Sequence, residues 1–419
     1  MKILFLAPRA PLPADQGAKL RTLALIQAAA AHHEVHLLAF GNDGDNPHPL
    51  PEGEGTDLSQ RALHDSVSGL CRVVRLVDAP GPRALLGRAW RLLFDSLPDV
   101  AHRLDSNAYR TALWEMLEAN HYDVIQIEGL EMMPYLGSAR GGGGRAAILY
   151  DAHNAEMSLQ RSIFQVEFRD PRYWHRGLYS MTQWSKLGTY ERVMMNETDQ
   201  VIAVSEPDVA KLHGRHVDPV LIPNGVATAS IPYREPSLDP GRSLLFIGPL
   251  EYRPNADAVR WLVDRVFPLI RARSPEITLR LVGKGTERVQ APGVEALGYV
   301  EDASSEFERA DAVIVPMRMG GGTRFKVLEA MASGVPVVST SIGLAGIAAE
   351  HDRHALIADS AQALAAATLR ILEDRELARG LSGMARLLVQ GRYDWDKITP
   401  QYLRLLTTAR HAARQPRQK

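Results

Sequence analysis

The sequence predicts an α/β protein built from two Rossmann-like, doubly wound domains that face each other across a cleft. Short apolar runs alternate with helical patterns over almost the whole 419 residues. Most of these runs are apolar throughout rather than alternating, which is typical of parallel strands covered on both faces. The pattern restarts after Ile231–Pro240 (IPYREPSLDP), whose three prolines and weak apolar periodicity indicate a linker.

The first half of the chain carries seven strand candidates with helical patterns between them, as in the βαβ units of a parallel sheet. The predicted strands are Lys2–Leu6, Val35–Phe40, Val73–Val77, Val124–Ile127, Ala147–Tyr150, Val201–Val204 and Val220–Ile222. The predicted helices are Ala18–Ala31, Arg83–Phe94, Ser106–Asn120 and a long stretch from about 156 to 196. Two glycine-bearing segments, Gly41–Gly55 and Gly141–Gly144, are predicted surface loops, the second a flexible turn.

The second half repeats this alternation. Its predicted strands are Leu244–Ile247, Thr278–Val282, Val294–Leu297, Ala312–Val315 and Val335–Ser339, and its predicted helices are Ala256–Arg273, Ser304–Ala310, Phe325–Ser333, Ala361–Glu373 and Arg375–Gln390. We therefore expect an N-terminal domain at residues 1–228, a linker at 229–241 and a C-terminal domain at 242–392. The last segment, 393–419, carries an amphipathic run and a basic tail, Arg410–Lys419, that we expect to fray.

Composition excludes several classes of protein. The 48 Lys and Arg residues against 49 Asp and Glu residues leave a formal net charge of -1, so a nucleic-acid partner is not expected. The one cysteine, Cys71, forms no intramolecular disulfide or paired-cysteine metal site and indicates a reducing cytosol. No segment offers the roughly 20 apolar residues of a membrane-spanning helix. We expect a cytoplasmic protein, either free or peripheral on the inner face of the membrane.

The strongest local signal follows the predicted strand Ala312–Val315. Three glycines, Gly320–Gly322, precede a helix that opens near Thr323, and such a helix start presents unpaired N–H groups to an anion. Arg324 and Lys326 add full positive charges beside it. Glu329 lies about 7–9 Å further along the helix axis, where its carboxylate can accept two ribose hydroxyls. This arrangement suits a nucleotide diphosphate, and the alternative is an ordinary glycine-rich turn with a solvated Glu329.

The segment Glu329–Val338 (EAMASGVPVV) resembles the donor-binding signature of family 4 glycosyltransferases, which have the two-domain GT-B fold. In that family, a Glu eight positions upstream of the signature Glu, with seven residues between them, contacts the donor sugar, and the signature Glu binds the ribose. Glu329 matches the second position. The first position falls at Gly321, which is a departure and leaves the sugar contact unassigned.

Other segments resemble the same family in the order that the family has them. The resemblance implies that His153, in Asp151–Glu156 (DAHNAE), contacts the donor sugar; the alternatives are a histidine that caps the next helix or bonds Asp151. Arg253 matches one diphosphate-binding cation, although the usual lysine after it is missing. Together with the helix start, the resemblance assigns donor binding to Gly17, Arg253, Gly283, Val300, Gly321, Gly322, Thr323, Phe325 and Val327.

Two further landmarks have structural meaning in the family. Ser205 and Asn224-Gly225 match positions that mark the last strands before the hinge. Trp395 matches an aromatic turn that precedes a helix crossing back onto the N-terminal domain. We therefore expect architectural roles for all of them.

The long helical stretch is unusual in composition. Between Arg161 and Arg192 lie seven aromatic residues and six cations: Phe164, Phe168, Tyr173, Trp174, Tyr179, Trp184, Tyr190, and Arg161, Arg169, Arg172, Arg176, Lys186, Arg192. Aromatic and basic faces suit a lipid headgroup interface, which a lipid-linked acceptor would explain. The alternative is a helix hairpin packed on its own domain with its arginines extended into solvent.

The resemblance implies a retaining, metal-independent glycosyltransferase of the hexosyltransferase type. It would transfer a sugar from a nucleotide-diphosphate donor to a saccharide or lipid-linked acceptor, as in polysaccharide or glycolipid assembly. His153, Arg324, Lys326 and Glu329 are the predicted catalytic residues, and no resident cofactor is expected. Two alternatives remain open, namely a nucleotide-sugar epimerase of the same fold and a non-catalytic nucleotide-sugar-binding protein.

Overall fold

The computed structural model describes residues 1–41, 67, 69–81, 83, 94–169, 171–212, 217–239 and 241–414. The chain divides into two compact units. Unit 1 comprises Met1–Ile222 together with Thr399–Lys419, and unit 2 comprises Pro223–Ile398. The domain limits expected from the sequence stay predictions. The predicted helix Arg83–Phe94 lies outside the described residues apart from Arg83 and Phe94, and the predicted loop Gly41–Gly55 lies outside them apart from Gly41.

Unit 1 is built on a seven-stranded sheet in the order β3-β2-β1-β4-β5-β6-β7, in which every pairing is parallel. Because β1 pairs with both β2 and β4, the order reverses there, and such reversal points place ligand sites at the carboxyl ends of strands. The strands are β1 (Lys2–Ala7), β2 (Glu34–Phe40), β3 (Val73–Val77), β4 (Val124–Glu128), β5 (Ala147–Ala152), β6 (Gln200–Ala203) and β7 (Val220–Leu221). The helices are α1 (Gly17–Ala30), α2 (Val100–Arg103), α3 (Asn107–Ala119), α4 (Leu136–Gly142), α5 (Glu156–Glu167), α6 (Trp174–Asn196) and α7 (Glu206–Val209).

Unit 2 has a six-stranded parallel sheet in the order β10-β9-β8-β11-β12-β13. Its strands are β8 (Ser243–Ile247), β9 (Thr278–Val282), β10 (Val294–Gly298), β11 (Ala312–Val315), β12 (Val337–Ser339) and β13 (Leu356–Ile357). Its helices are α8 (Arg253–Trp261), α9 (Phe267–Arg273), α10 (Ser304–Arg309), α11 (Phe325–Ser333), α12 (Ala361–Glu373) and α13 (Arg375–Arg392). The last helix, α14 (Trp395–Arg414), begins in unit 2 and belongs to unit 1 from Thr399 onward. Both doubly wound sheets and the returning C-terminal helix are confirmed.

An aromatic cluster fixes α3 on the sheet of unit 1. The Tyr109 ring lies 4.7 Å from the Phe40 ring and 4.3 Å from the Tyr135 ring, centroid to centroid. The Tyr109 hydroxyl donates to the Leu38 carbonyl oxygen at 2.8 Å, so burial leaves no polar atom of this side chain unpaired. The helix starts where the Ser106 hydroxyl accepts the Tyr109 N–H.

Three local expectations were wrong. Gly141 and Gly142 are the last two residues of α4 rather than a flexible turn, and Gly142 packs so closely on α3 that a Cβ would lie 2.8 Å from Leu117. The predicted helix Ala256–Arg273 is interrupted by a π-helical turn, Leu262–Val266, just before the proline that opens α9. The strand β13 has only two residues and was not predicted.

The C-terminal end also differs from expectation. Arg410 and Arg414 lie within α14, and each donates to Asp123 Oδ1 at 2.8 Å, so this part of the tail is tied to unit 1. Residues 415–419 lie outside the described part of the chain. Within that part, none of the helices combines the length and apolar character that crossing a membrane requires.

Candidate active site

The glycine-rich turn after β11 leads into α11 as expected, with the helix starting at Phe325 after an extended Arg324. Gly320 and Gly322 have φ of +151° and +66°, which other residues rarely adopt. A Cβ on Gly320 would lie 2.2 Å from Arg324 Nη2, so a side chain there would have to displace the Arg324 guanidinium. No side-chain cap covers the first turn of the nine-residue helix α11. Its first N–H groups therefore have no side-chain cap, and the anion site expected here stays a prediction.

Arg324 does not extend from this turn as a simple phosphate ligand. Its Nη1 donates to the carbonyl oxygens of Ile342 at 2.8 Å and Gly343 at 3.2 Å, in the loop after β12. Burial lowers the pKa of Arg324, although the guanidinium stays charged at any ordinary pH. The structure therefore gives Arg324 a role in holding two loops together, and its contact with the donor stays a prediction.

Lys326 and Glu329 lie on the same face of α11. Lys326 Nζ is 2.8 Å from Glu329 Oε2, a spacing of three residues that brings the two side chains together on a helix. Lys326 is 43% exposed and Glu329 is 21% exposed, so both can reach a ligand. The predicted phosphate ligand and the predicted ribose ligand are thus adjacent, and each neutralises the other in the absence of a ligand.

The other predicted donor-binding residues of unit 2 lie at strand ends and at a helix start. The Gly283 N–H donates to the Gly298 carbonyl oxygen at 2.7 Å, and Gly283 has φ of +132°. A Cβ there would lie 2.4 Å from the Gly248 carbonyl oxygen, so glycine is required where β8 and β9 end. Val300 follows β10 as a half-buried residue. Arg253 is the first residue of α8.

Two landmark segments are joined to the glycine-rich turn. Asn224 Nδ2 donates to the Thr323 carbonyl oxygen at 3.3 Å, and Thr323 Oγ1 donates to the Gly346 carbonyl oxygen at 3.3 Å. Gly225 packs so tightly that a Cβ would lie 3.1 Å from Trp395. The architectural roles expected for Asn224-Gly225 and Trp395 agree with these contacts, and Asn224 in addition positions the backbone of the predicted donor loop.

Asp394 and Asp396 have the Asp-x-Asp spacing that can bind a metal ion. Asp394 instead accepts hydrogen bonds from the Thr228 hydroxyl and, at 2.9 Å, from the Asp396 N–H. These bonds close the turn at the start of α14, so the spacing here has a structural explanation.

Gly17 and His153 lie in unit 1, at the start of α1 and just after β5. His153 Nε2 is 3.2 Å from Glu128 Oε2 and 3.6 Å from Asp151 Oδ2, and both carboxylates are fully buried. Burial alone would lower the pKa of His153, but hydrogen bonds to Asp151 and Glu128 outweigh it and raise the pKa to about 10. His153 is therefore an imidazolium at neutral pH.

Arg21 completes this cluster. Its Nε and Nη2 each donate to one oxygen of Asp151 at 2.7 Å, and its side chain is buried. Burial by itself would raise the pKa of Asp151, but the neighbouring cations Arg21 and His153 hold that pKa well below its usual range. Two carboxylates thus face two cations, and the buried charges compensate one another.

Glu128, Asp151 and His153 place one potential metal-ligand atom each within 4.8 Å of one another. Metal binding requires a neutral imidazole and accessible carboxylate oxygens. Here the imidazole is protonated, and both oxygens of Asp151 are bonded to Arg21. The donor set in this state serves the protein's own cations and does not fit a metal ion.

Sequence reasoning missed most of this cluster. Arg21, Thr22, Gln126 and Glu128 were not singled out, although Gln126 and Glu128 interrupt an otherwise apolar strand. Polar residues two apart in a buried strand share one face, and buried polar groups need partners. The two polar residues Gln126 and Glu128 in a buried strand were therefore the sequence signal that could have indicated this cluster.

We expect the stabilisation that depends on His153 to vary with pH. Because its folded pKa of about 10 exceeds the ordinary value of 6.5, the contribution is complete below pH 6.5 and is lost as pH rises to about 10. Urea unfolding at several pH values measures this contribution as the difference in free energy of unfolding between the wild type and His153→Asn. A difference that stays constant from pH 6 to pH 10 would contradict the ion-paired imidazolium.

A second group of acids lies where α5 begins. The Glu156 and Met157 N–H groups donate to the two oxygens of Glu191 at 2.9 and 3.4 Å, so an α6 side chain caps α5. Burial and the charge of Glu131 raise the pKa of Glu156 to about 7, and burial raises the pKa of Glu191 to about 7. The carboxylates of Glu156 and Glu191 therefore titrate close to neutral pH.

The aromatic and basic stretch forms the hairpin of α5 and α6. On its inner side the rings of Phe164 and Trp184 stack at 6.1 Å, and the Arg161 guanidinium lies 5.4 Å from the Trp184 ring centroid. On its outer side Trp174 and Leu178 are each 52% exposed. The hairpin is packed, as one alternative expected, and it also presents apolar side chains to solvent.

Two parallel doubly wound units and a helix that returns from the second to the first define the GT-B architecture. A profile described as Glycosyltransferase Family 4 matches residues 16–230, and one described as Glycosyl transferases group 1 matches residues 241–374. The first match covers more than half of the chain. The protein belongs to Glycosyltransferase Family 4.

Similar proteins agree with this assignment. The chain is 31% identical over 248 residues to the phosphatidyl-myo-inositol mannosyltransferase of Mycolicibacterium smegmatis, covering 55% of this chain and 63% of that one. It is 27% identical over 263 residues to the glycogen synthase of Mycobacterium tuberculosis, covering 58% and 62%. The alignments thus span less than two thirds of the length of these curated relatives.

Solved structures share the fold. The sucrose-phosphate synthase from Thermosynechococcus elongatus superimposes with a TM-score of 0.68 at 19% identity, covering 98% of this chain and 100% of that one. Anabaena Alr3699/HepE, described in complex with UDP-glucose, gives a TM-score of 0.65 at 16% identity, covering 97% and 100%.

Proposed function

We propose that the protein is a retaining glycosyltransferase that moves a hexose from a nucleotide-diphosphate donor to a saccharide or lipid-linked acceptor. The single observation that carries the proposal is the start of α11, where uncapped N–H groups, Lys326 and Glu329 lie within one helical turn. Family membership and the curated relatives, a mannosyltransferase and a glycogen synthase, support the same reaction class.

The donor diphosphate binds at the N-terminus of α11. As the bond to the anomeric carbon breaks, the diphosphate gains negative charge, and a nearby cation and helix start stabilise that charge most in the transition state. Lys326 leaves its ion pair with Glu329 to contact the phosphates, and Glu329 then accepts the ribose hydroxyls. Breaking an exposed ion pair costs little, so this exchange is energetically easy.

His153 donates a hydrogen bond to an oxygen of the donor sugar. Its protonated state suits it for donation, because both ring nitrogens of an imidazolium carry a proton. No protein base is assigned. The acceptor hydroxyl attacks the anomeric carbon on the face from which the diphosphate leaves, and the diphosphate takes the acceptor proton. This route requires no metal ion.

The acceptor binds unit 1. The relative from Mycolicibacterium smegmatis is named for a phosphatidyl-myo-inositol acceptor, and the exposed Trp174 and Leu178 of the hairpin suit a lipid surface. We place the protein in the cytoplasm, with the hairpin as its peripheral contact with the membrane.

A donor screen tests the proposal. Calorimetry with UDP-, GDP- and ADP-sugars identifies the donor, and nucleotide release is then measured with and without acceptor saccharides or lipids. The proposal requires release that depends on acceptor. Conversion of the nucleotide sugar to its epimer without acceptor supports the epimerase instead, and binding without any turnover supports a binding protein.

We expect Glu329→Ala to weaken donor binding at least tenfold, or about 1.4 kcal/mol, because charge-assisted hydrogen bonds to the ribose are lost. Calorimetric titration of the donor measures the change. Glu373→Ala, an exposed helix position in the same unit that pairs with Arg273, serves as the control and should leave affinity unchanged. An unchanged dissociation constant for Glu329→Ala would remove the ribose assignment.

Flotation with anionic liposomes tests the membrane contact. We expect Trp174→Ser to reduce the bound fraction several-fold, because a large apolar side chain is lost from the interface. Trp114→Ser is the control, since Trp114 is 51% exposed but lies on α3, outside the hairpin. Equal flotation of both variants and the wild type, or no flotation at all, would favour packing as the only role of the hairpin aromatics.

A further inference from the structure

The returning helix α14 brings a hydroxyl into the buried interior of unit 1. Tyr402 is fully buried, and its hydroxyl donates to Gln126 Oε1 at 2.6 Å. Gln126 Nε2 in turn donates to Glu128 Oε1 at 2.7 Å. The two bonds fix which end of the Gln126 amide faces each neighbour, since Gln126 accepts from one side and donates to the other.

Glu128 collects three hydrogen-bond donors. Gln126 occupies Oε1, and Oε2 accepts from Thr22 Oγ1 at 2.8 Å and from His153 Nε2 at 3.2 Å. A carboxylate held by three donors in a buried site has one stable orientation. With Nε2 directed at Glu128, the other ring nitrogen of His153 is the one directed away, and among the described residues Nδ1 has no hydrogen-bond partner.

A hydroxyl at position 402 is not needed for packing alone. Phenylalanine fills the same volume and brings no polar atom that must be paired. Burial together with the charges of Glu128 and Asp151 raises the pKa of Tyr402 well above its usual value, so the hydroxyl stays protonated and donates at any physiological pH. The hydroxyl therefore has one evident purpose, which is to hold Gln126.

We propose that Tyr402 is a positioning residue for His153, which it orients through Gln126 and Glu128 so that Nδ1 is presented to the donor sugar. This rests on the proposed function, in which His153 contacts that sugar. The C-terminal helix then does more than fasten the end of the chain, since it determines the geometry of a side chain 249 positions earlier in the sequence (402 minus 153).

Kinetics with a double-mutant cycle test the coupling. We expect Tyr402→Phe to lower kcat about tenfold with little change in the donor KM, because misplacing a contact with the reacting sugar reduces the rate of the chemical step. In the His153→Asn background the same substitution should have almost no further effect. Equal reductions in both backgrounds, or no reduction in the wild type, would overturn the proposal.

Tyr109→Phe is the matched control. Tyr109 is also fully buried in unit 1, and its hydroxyl donates one hydrogen bond of similar length, to Leu38. It has no bond to the chain of residues that leads to His153. We expect Tyr109→Phe to lower stability like Tyr402→Phe and to leave kcat unchanged, so a loss of activity caused only by lost stability appears in both variants and counts against the proposal.

A spectroscopic measurement separates this inference from the proposed function. The ¹⁵N-histidine spectrum, with the His153 signals identified by their absence in His153→Asn, reports the titration of the ring without any substrate. The charged groups facing the ring are Glu128 from β4, Asp151 from β5, Arg21 from α1 and Glu156 from α5. Tyr402→Phe should lower the titration midpoint of His153 by at least one pH unit, because Gln126 can then turn away from Glu128 and the carboxylate is held less firmly beside the ring.

An unchanged midpoint in Tyr402→Phe overturns the inference even if the protein turns over a nucleotide sugar. A lowered midpoint in a protein that binds no nucleotide sugar retains the orienting role and refutes the proposed function. Should Tyr402→Phe fail to fold, Gln126→Leu takes its place with the same expected shift, since it removes both the Tyr402–Gln126 and the Gln126–Glu128 hydrogen bonds at similar side-chain size.

Discussion

Lys326→Ala is expected to lower kcat by about a hundredfold, or about 2.7 kcal/mol, because it removes the exposed cation that faces the leaving diphosphate in the transition state. The substitution should leave the fold intact. The ion pair that it loses is with Glu329 at 2.8 Å, and such a helix-surface pair is worth only about 0.2–0.5 kcal/mol to stability. Steady-state nucleotide release in the presence of acceptor measures the change.

Arg309→Ala is the matched control for this prediction. Arg309 also forms an ion pair with a glutamate three residues away on a helix of unit 2, at 3.7 Å from Glu306, and lies outside the predicted site. It should keep wild-type turnover. Lys326→Arg retains the charge and should recover part of the loss. Wild-type turnover in Lys326→Ala would remove Lys326 from the catalytic residues.

Arg21→Met is expected to destabilise the protein by about 3–5 kcal/mol, because it leaves the fully buried carboxylate of Asp151 without its main partner. In a unit of this size, such a loss lowers the thermal midpoint by about 10 °C. Calorimetry or urea unfolding measures the effect. The double variant Arg21→Met/Asp151→Asn should recover most of the loss, since no uncompensated charge then remains.

Arg140→Met provides the comparison with a half-exposed ion pair in the same unit. Arg140 Nη1 lies 2.8 Å from Asp199 Oδ2, yet a pair of this kind contributes only about 0.2–1 kcal/mol. If Arg21→Met lowers the free energy of unfolding no more than Arg140→Met does, the buried charges of Arg21 and Asp151 do not compensate each other as the structure indicates.

The parts of the fold that were predicted correctly are those with a strong local signal. The strand β11 is a continuous apolar run, as is β1 after Lys2, and their neighbours in a parallel sheet follow from the βαβ alternation. The errors arose where a local signal competes with packing. Gly141 and Gly142 suggest a turn in isolation, but both lie in α4, where Gly142 packs closely against Leu117 of α3.

In the candidate site, too, local spacing was predictable from the sequence and contacts between distant residues were not. Lys326 and Glu329 were predictable because one helix carries both, and a spacing of three residues brings them together in any helix. For Arg324 the sequence showed a cation beside the glycines but not its direction, since its partners Ile342 and Gly343 lie in another loop.

By itself, the sequence determined the two parallel sheets and the family, and it predicted an anion site at the start of α11, because apolar periodicity, glycine placement and a contiguous motif are properties of neighbouring residues. Only the tertiary structure decided the charge and orientation of His153. That depends on bonds between residues far apart in the chain, 106 positions for Thr22 and Glu128, 130 for Arg21 and Asp151, and 276 for Gln126 and Tyr402. Such contacts exist only after the sheet and α14 have packed, so no local pattern encodes them.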